Sequence, residues 1–404
     1  MTSAERLAAV LFVAFVLLAP PQPVLAAPPI FVGHGTPGSC TEMALKDALI
    51  IAETVGGATI RFKCGPEPVT IALSDVTGPP FAFRFLLALP NNTTIDGGGL
   101  ITLDGTHTAT VAFVDRDTTV VLTRLSIING FGGNQGQGAN GIENRGTLTV
   151  DHSTLSGNNS AGDGAISNSG TLTVEHSTLS GNFGFLYGGI FNAGMLTVRK
   201  SSFEGNFSLL SGGGILNRGT LIVDDSTFSG NFGFDGGGGI YNRGTLTVRK
   251  STFSENEGFD GGGGIFNAGM LTVRKSSFEG NFSHNPGGGI FNFGTLTVDD
   301  STFSENRAFG MGTPFGFGGG IANFGTVTVD KSTFSGNVAD LGGGIFNAGP
   351  LAVDDSTITQ NTANTAGGGI YICVEGQETF TPCHGTLTLN HTSVTENTPD
   401  NIFP

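Results

Sequence analysis

The chain has 404 residues, of which 67 are glycine and 13% are charged, and its formal net charge is −15. This surplus of acidic residues disfavours nucleic acids and anionic membranes as partners, because both bind surfaces rich in lysine and arginine. Hydrophobic residues make up 38% of the sequence, which predicts a folded, soluble protein with a buried core rather than a disordered chain.

Residues 1–27 have the pattern of a secretory signal peptide. Arg6 precedes an apolar run over residues 7–19, and residues 24–26 (VLA) provide a small-residue cleavage site. An uncleaved anchor is the alternative, but the run is short for a bilayer and prolines follow it directly. We therefore expect a secreted or cell-surface protein of bacterial type, with no membrane span in the mature chain.

Residues 28–130 are predicted to form an N-terminal cap and irregular first turns. Ser39-Cys40-Thr41-Glu42 is similar to a helix capping box, and apolar residues spaced three and four apart follow it. This spacing predicts an amphipathic helix over Cys40–Val55. Its buried face would consist of Leu45, Ala48, Leu49 and Ala52. Strand-like segments follow at 58–62, 93–103 and 111–128.

Four cysteines lie in two pairs that are close in sequence, Cys40 with Cys64 and Cys373 with Cys383. An even number of cysteines in an exported chain favours disulfides, and proximity favours these pairings over crossed ones. A zinc site of four thiolates is the alternative, although neither pair has the short gap usual for zinc ligands. The insertion between Cys373 and Cys383 is predicted to cover the last turn.

Residues 131–404 consist of repeats. An isoleucine recurs every 24 or 25 residues, with one interval of 31 that contains extra residues within 307–318. The aligned residues are Ile142, Ile166, Ile190, Ile215, Ile240, Ile265, Ile290, Ile321, Ile345 and Ile370. Each repeat has three short alternating segments, typified by GGGIxN, TLTV and STFS, and no helical pattern. Stacked turns of this kind predict an all-β fold, a single right-handed parallel β-helix, whereas a β-propeller or leucine-rich repeat needs a different period.

Equivalent residues of successive turns are predicted to stack in columns. Isoleucine, leucine or valine, and phenylalanine would fill the interior, the last through Phe203, Phe228, Phe253, Phe278, Phe303 and Phe334. Asparagines end the first and third segments of most repeats, as at Asn192 and Asn206. Because an amide both donates and accepts, stacked asparagines can bond to the turns above and below. We expect them to be structural.

Two families have similar sequences. GGGI with Phe203-x-x-Asn206 resembles the repeats of polymorphic outer-membrane proteins, although glycine replaces their alanine. Leu45-Lys46-Asp47-Ala48-Leu49, after Cys40-Thr41 and before GATIxF at 57–62, resembles the CSLREA-type domain of exported β-helix proteins, with three extra residues. The resemblance implies a β-helical fold, export and a surface role linked to adhesion.

An outward row of apolar residues is predicted beside the isoleucine column. Its members are Phe191, Leu216, Tyr241, Phe266, Phe291, Ala322, Phe346 and Tyr371. At the strand spacing this stripe would be on the order of 35 Å long, and an exposed stripe of that size marks a surface for a protein or polysaccharide partner. Alternatively, loop phenylalanines fold over it as a second core layer. These are Phe183, Phe185, Phe207, Phe232, Phe234, Phe259, Phe309, Phe315 and Phe317.

Polysaccharide lyase or glycoside hydrolase activity is the alternative to a non-catalytic role. It would need outward carboxylates that hold Ca²⁺, for which the nearest residues are Asp299, Asp300, Asp330, Asp354 and Asp355. The same positions carry arginine and lysine in other repeats, which favours a surface charge ladder. His152 and His176, beside Asp151 and Glu175, form a weaker metal or proton-transfer candidate.

These observations together predict a secreted or cell-surface, non-catalytic binding or structural protein of adhesin-like type. We expect no cofactor, with Ca²⁺ as the ion that the lyase alternative would use. Ice binding is a minor alternative, because Thr-x-Thr recurs on several turns, but Met195 and Met270 interrupt it.

Overall fold

The fold of the chain was obtained as a computed structural model, which describes residues 28–74, 85–132, 141–160, 162, 164–310, 316–375 and 383–404. The predicted signal peptide lies outside the described residues. The predicted fold is confirmed, since successive turns pair as parallel strands in a right-handed β-solenoid with equivalent residues in register, as Ile190 with Ile215 and Phe203 with Phe228.

In the described part of the chain one α-helix, Glu42–Thr54, caps the N-terminal end and confirms the predicted amphipathic helix. Leu45, Ala48, Leu49 and Ala52 are buried against the first turns, as predicted. The cap itself differs from the prediction, because the Thr41 hydroxyl, not that of Ser39, accepts the Ala44 N–H at 3.2 Å. Around the helix lie a 3₁₀ turn, Pro37–Ser39, and strands Ile30–Val32, Thr59–Phe62, Val69–Ala72, Phe85–Ala88, Thr93–Asp104, Thr110–Val114 and Thr119–Ile128.

Each regular turn except the last described one contains four strands rather than the predicted three. First strands carry the isoleucine and, except in the last two, the asparagine: Ile142–Asn144, Ile166–Asn168, Ile190–Asn192, Ile215–Asn217, Ile240–Asn242, Ile265–Asn267, Ile290–Asn292, Ile321–Asn323, Ile345–Asn347, Ile370–Ile372 and Ile402–Phe403. Second strands carry the leucine and valine: Thr147–Asp151, Thr171–Glu175, Met195–Arg199, Thr220–Asp224, Thr245–Arg249, Met270–Arg274, Thr295–Asp299, Thr326–Asp330, Pro350–Asp354 and Thr386–Asn390.

Third strands carry the central phenylalanine or another apolar residue: Thr154–Ser156, Thr178–Ser180, Ser202–Glu204, Thr227–Ser229, Thr252–Ser254, Ser277–Glu279, Thr302–Ser304, Thr333–Ser335, Thr357–Thr359 and Ser393–Thr395. Fourth strands, mostly two residues long, were not predicted: Phe131–Gly132, Asn159–Ser160, Phe183–Gly184, Phe207–Ser208, Phe232–Gly233, Glu257–Gly258, Phe282–Ser283, Arg307–Ala308, Val338–Leu341 and Thr362–Ala366. Two residues are too few to show the alternation from which a strand is predicted.

The predicted interior columns are confirmed. Phe203, Phe228 and Phe253 are fully buried, and neighbouring rings stack with centroids 4.6 and 4.8 Å apart. The asparagine ladders also form: the Asn206 amide donates to Asn231 Oδ1 at 2.9 Å, and the Asn192 amide donates in the same way on the other ladder. Parallel stacking at the strand spacing therefore packs the apolar side chains against one another and gives the stacked amides hydrogen-bond partners on neighbouring turns.

A sharp bend joins each second strand to the third and fixes the direction of the side chains there. The residue at the bend has left-handed backbone angles in every regular turn, for example His152, His176 and Lys200 with φ of 45°, 47° and 44°. The next serine stabilises the bend, since the Ser201 hydroxyl donates to the Arg199 carbonyl at 2.7 Å. Side chains at the bend consequently project outwards in an aligned column.

Both predicted disulfides form, Cys40–Cys64 and Cys373–Cys383, so the alternative of a zinc site is wrong. The first joins the residues before the cap helix to the first turns. The second joins the start of the predicted insertion to its end, and residues 376–382 of that insertion are outside the described ranges. Within those ranges, the helical segments lack the length and apolar character needed to cross a membrane.

Candidate functional site

The aromatic stripe predicted as a partner surface is largely buried. Four of its six aromatic residues are at most 7% exposed, namely Tyr241, Phe291, Phe346 and Tyr371. The other two, Phe191 and Phe266, are partly exposed. Of the two alternatives, burial favours the second core layer at these four positions, and Phe291, Phe346 and Tyr371 pack in one buried cluster.

A second apolar cluster covers one end of the stripe. Phe317, at the end of the inserted loop, packs on Phe346 with ring centroids 4.6 Å apart. Cys373 and Cys383 pack into the same cluster, beside Tyr371. Phe317 and the Cys373–Cys383 disulfide therefore cover this end of the stripe.

A different aromatic surface is partly exposed, where the fourth strands lead back to the first strands. We call it the aromatic corner. Its rows are Phe183, Phe207, Phe232 and Phe282 on the fourth strands, and Phe185, Phe234, Phe259, His284 and Phe309 two residues later. Side chains two residues apart on a strand share a face, so both rows point outwards. Phe185 and Phe234 are 43% and 38% exposed.

Rings of the aromatic corner stack along the axis of the β-helix. The Phe207 ring centroid lies 5.5 Å from that of Phe183 and 4.8 Å from that of Phe232, with nearly parallel planes. Phe234 and Phe259 stack at 4.4 Å. In these stacks the rings cover one another's faces and turn their edges towards solvent, whereas Phe282 and His284 meet edge to face. Ring edges without hydroxyl or indole groups suit apolar contact with a protein better than sugar binding, which uses open ring faces.

The aromatic corner also corrects the prediction that loop phenylalanines cover the stripe. Phe317 does so, whereas Phe185 and Phe234 point to solvent, and Phe315 lies outside the described residues. Polar residues interrupt the rows, since Glu257 occupies the fourth-strand position between Phe232 and Phe282. The fold therefore does not require a phenylalanine at this position of each fourth strand.

A cleft of about 270 Å³ lies beside the aromatic corner. It is lined by Leu186, Tyr187, Leu210, Ser211, Leu216, Arg218, Asp235, Tyr241 and Arg243. Arg243 Nε and Nη2 donate to Tyr241 Oη at 2.9 and 2.7 Å, and the Arg218 guanidinium lies 5.6 Å from the Phe191 ring centroid. Burial raises the pKa of the Asp235 carboxyl, and the charge of Asp260 raises it further.

The two cleft arginines are unusual for this acidic chain. Arg218 and Arg243 follow paired strands on neighbouring turns, and among the described residues neither forms an ion pair with a carboxylate. Arg145, at the same position of an earlier turn, pairs with Glu143 at 3.1 Å. The residues equivalent to Glu143 beside the cleft arginines are Leu216 and Tyr241. The cleft therefore presents adjacent cations that an external carboxylate could neutralise.

The carboxylates considered for a lyase site lie in the predicted charge ladder. Arg274 Nε lies 3.6 Å from Asp299, Lys275 Nζ lies 3.9 Å from Asp300, and Lys331 Nζ lies 2.7 Å from Asp330. These pairs are largely exposed, so each contributes little to stability. Their engagement with cations favours a surface ladder over a Ca²⁺ site.

The predicted histidine pair is brought together at the bends. The rings of His152 and His176 stack with centroids 4.5 Å apart, and the Nδ1 atoms of both lie near Asp151 Oδ1. Burial raises the pKa of Asp151, but the hydrogen bond and charge of His152 more than offset this and lower it overall. Asp151 is therefore ionised at neutral pH.

Sequence reasoning missed the cleft and mistook the role of the aromatic corner. The usable signal was the period-two pair Phe183 and Phe185 around Gly184, repeated at Phe232 and Phe234. Recurrence of this pair at the same repeat position, and not alternation within one strand, indicates an aligned outward surface. The cleft had a weaker signal, two arginines at the same repeat position without acidic residues two positions before them.

Comparisons with known proteins support the fold. Residues 189–349 match the family described as right handed beta helix region, and residues 355–373 match the repeat of the Chlamydia polymorphic membrane proteins. No curated protein sequence matches the chain. The N-terminal CSLREA-type resemblance and the signal peptide remain predictions.

Among solved structures, similar chains include the A-module of mannuronan C-5 epimerase AlgE6 from Azotobacter vinelandii. Identity is 14% and the TM-score 0.50, with 87% of this chain and 94% of that chain covered. PfbA, a surface adhesin of Streptococcus pneumoniae, is 12% identical with a TM-score of 0.43 and coverage of 91% and 92%. At these identities the likeness concerns the fold alone.

Proposed function

We propose that this right-handed parallel β-helix protein is a secreted or surface-associated, non-catalytic binding rod that holds a protein partner at its aromatic corner. The observation that carries this proposal is the corner itself, where two rows of phenylalanine remain partly exposed over successive turns. Exposed apolar rows of that extent mark partner surfaces in soluble proteins. The interior columns do not require them, because the core phenylalanines are separate and fully buried.

The chemistry of the corner favours a protein over a polysaccharide. Its stacked rings offer edges, and phenylalanine has no polar group with which to orient a sugar. The neighbouring cleft adds Arg218 and Arg243, which suit a carboxylate on the partner. The partner surface would thus combine apolar side chains with an aspartate or glutamate at one edge.

Export is supported by independent features. The two disulfides are typical of proteins that fold outside the cytoplasm, and residues 355–373 match the repeat of the Chlamydia polymorphic membrane proteins. A non-catalytic role is supported by the ion-paired state of Asp299, Asp300 and Asp330.

Selection from a random peptide display library tests the proposal without a known partner. Enriched peptides should combine apolar residues with an acidic residue, and the variant Phe207→Thr/Phe232→Thr should lower their affinity at least about tenfold, since a lost apolar contact of about 1.4 kcal/mol has that effect. Threonine occupies the same column at Thr362, so the fold tolerates it. The control is Phe293→Ala, a phenylalanine that is even more exposed, lies on another face and occupies the position that carries Ala268 one turn earlier.

Two outcomes would overturn the proposal. Peptide binding that is unchanged in Phe207→Thr/Phe232→Thr, or reduced equally in Phe293→Ala, would place the binding surface elsewhere. Sustained release of unsaturated sugars from acidic polysaccharides, with or without Ca²⁺, would identify the protein as a lyase.

A further inference from the structure

Three metal-ligating side chains converge on the outer surface, away from the aromatic corner. Asp151 ends a second strand, His152 is at the bend that follows it, and His176 is at the equivalent bend of the next turn. The parallel register pairs Asp151 with Glu175, which places the two histidines one above the other. The backbone thus aligns the three residues, and their side-chain conformations bring the ligand atoms together.

The ligand atoms lie close enough together to surround a small divalent ion. Asp151 Oδ1 lies 2.7 Å from His152 Nδ1 and 3.4 Å from His176 Nδ1, and one ligand atom from each residue lies within 4.8 Å of the others. Bonds of about 2.0–2.1 Å at tetrahedral angles separate neighbouring ligand atoms by about 3.3 Å. To reach that spacing, Asp151 Oδ1 and His152 Nδ1 must move apart by about 0.6 Å, and the stacked imidazoles must turn so that both Nδ1 lone pairs meet one ion. Their side chains, 56% and 35% exposed, have room to do so.

A supporting contact orients the carboxylate. The Thr123 hydroxyl, on the preceding turn, donates to Asp151 Oδ2 at 3.3 Å and leaves Oδ1 facing the histidines. Such contacts around a metal ligand fix its orientation and raise affinity. The nearby charges of the column are mixed, since Glu175 lies beside Asp151 and Lys200 follows His176 at the next bend.

The donor set identifies the class of metal. Two imidazole nitrogens and one carboxylate oxygen suit Zn²⁺, Co²⁺, Ni²⁺ or Cu²⁺, whereas Ca²⁺ prefers six to eight oxygen ligands. We propose that Asp151, His152 and His176 bind one divalent transition metal ion, Zn²⁺ in particular, with the remaining coordination position open to water. This site is independent of the partner surface and goes beyond the proposed binding function.

The structure also provides an internal control. Asp354, Asp355 and His391 form a similar group near the C-terminal end, but only one imidazole is present. His391 Nδ1 lies 3.4 Å from Asp354 and 3.7 Å from Asp355, and its side chain is 81% exposed. With one nitrogen ligand, this group should hold Zn²⁺ far more weakly.

Titration of the purified full chain, prepared without a histidine tag, with ZnCl₂ in a calorimeter and with CoCl₂ in a visible-absorption cell tests the site. We expect one tight site per chain and the absorption bands of nitrogen- and oxygen-bound Co²⁺. His176→Asn should weaken Zn²⁺ binding more than about 100-fold, beyond the 10–100-fold typical of losing an outer contact, and Thr123→Val should weaken it about tenfold. His391→Asn should leave the tight site unchanged.

Asparagine tolerates the left-handed bend, and thermal unfolding in EDTA verifies that each variant folds. Should His176→Asn fail to fold, His176→Lys replaces it, because Lys200 occupies that position on the next turn. The proposal is overturned if the wild type binds Zn²⁺ no more tightly than the His152→Asn/His176→Asn variant. Equal losses in His391→Asn and His176→Asn would also overturn it.

Discussion

Replacing Asn231 by alanine should destabilise the β-helix strongly. Its amide donates to Asn256 Oδ1 at 2.9 Å and to the Phe203 carbonyl at 2.8 Å. Its Oδ1 accepts both the side-chain and the main-chain N–H of Asn206, at 2.9 and 3.0 Å. In the variant these two donors of Asn206, which is 0% exposed, lose their acceptor. Each buried unsatisfied group costs about 1–3 kcal/mol, so the free energy of unfolding should fall by about 2–6 kcal/mol.

Urea-induced unfolding followed by circular dichroism measures this change. The control is Asn364→Ala, which removes an exposed amide that donates to Asp340 Oδ1 at 2.8 Å and should cost about 0.5 kcal/mol or less. Because stacked repeats can unfold in parts, hydrogen exchange around Asn206 provides a second, local readout. Equal midpoints for Asn231→Ala and Asn364→Ala, with unchanged exchange, would refute the view that the amide ladder stabilises the bends.

Three further outcomes are expected. Phe317→Ala should lower the free energy of unfolding by about 3 kcal/mol and increase binding of a fluorescent apolar dye, because it uncovers the second core layer. Asp235→Asn should raise the melting temperature slightly at about pH 7 and not at about pH 3. The raised pKa means that ionisation of Asp235 beside Asp260 opposes folding above that pKa, and the effect disappears when both states are protonated. Cys40→Ser/Cys64→Ser should cost about 3 kcal/mol in chemical unfolding, from the loop-closure entropy of a 24-residue separation.

The fold could be predicted because each turn repeats the same physical constraints. A residue that must be buried, such as Ile190 or Phe203, recurs once in each repeat. The parallel register follows because equivalent residues of successive turns stack on one another. The cap helix was predictable from the spacing of Leu45 and Leu49, which fixes a buried face. Its exact cap was not, since Ser39 and Thr41 both suit that position and only the chain path selects Thr41.

The exposed surfaces were harder to predict because a single sequence does not specify which loops lie over which strands. Tyr241 and Phe346 alternate like outward residues, yet both are buried. Phe346 is covered by Phe317, which the loop places there from a different turn. The histidine pair was predictable in part: equal positions in two repeats imply proximity, whereas the convergence on Asp151 Oδ1 depends on the left-handed bend.

The chain contains two identical 21-residue segments, Gly188–Ser208 and Gly263–Ser283. Comparing them shows which surface features depend on the segment itself and which depend on the neighbouring turns. Phe207 in the first copy stacks between Phe183 and Phe232, but Phe282 in the second copy lies between Glu257 and Arg307.

The same 21-residue sequence thus contributes to a continuous aromatic row at one position along the β-helix and to an interrupted row at the other. Residues outside the duplicate create this difference, as Arg218 and Arg243 do for the cleft near the first copy. A binding surface on a repetitive β-helix therefore belongs to adjacent turns and not to any one repeat. For that reason Phe207→Thr should affect partner binding more than Phe282→Thr, although the segments around them are identical.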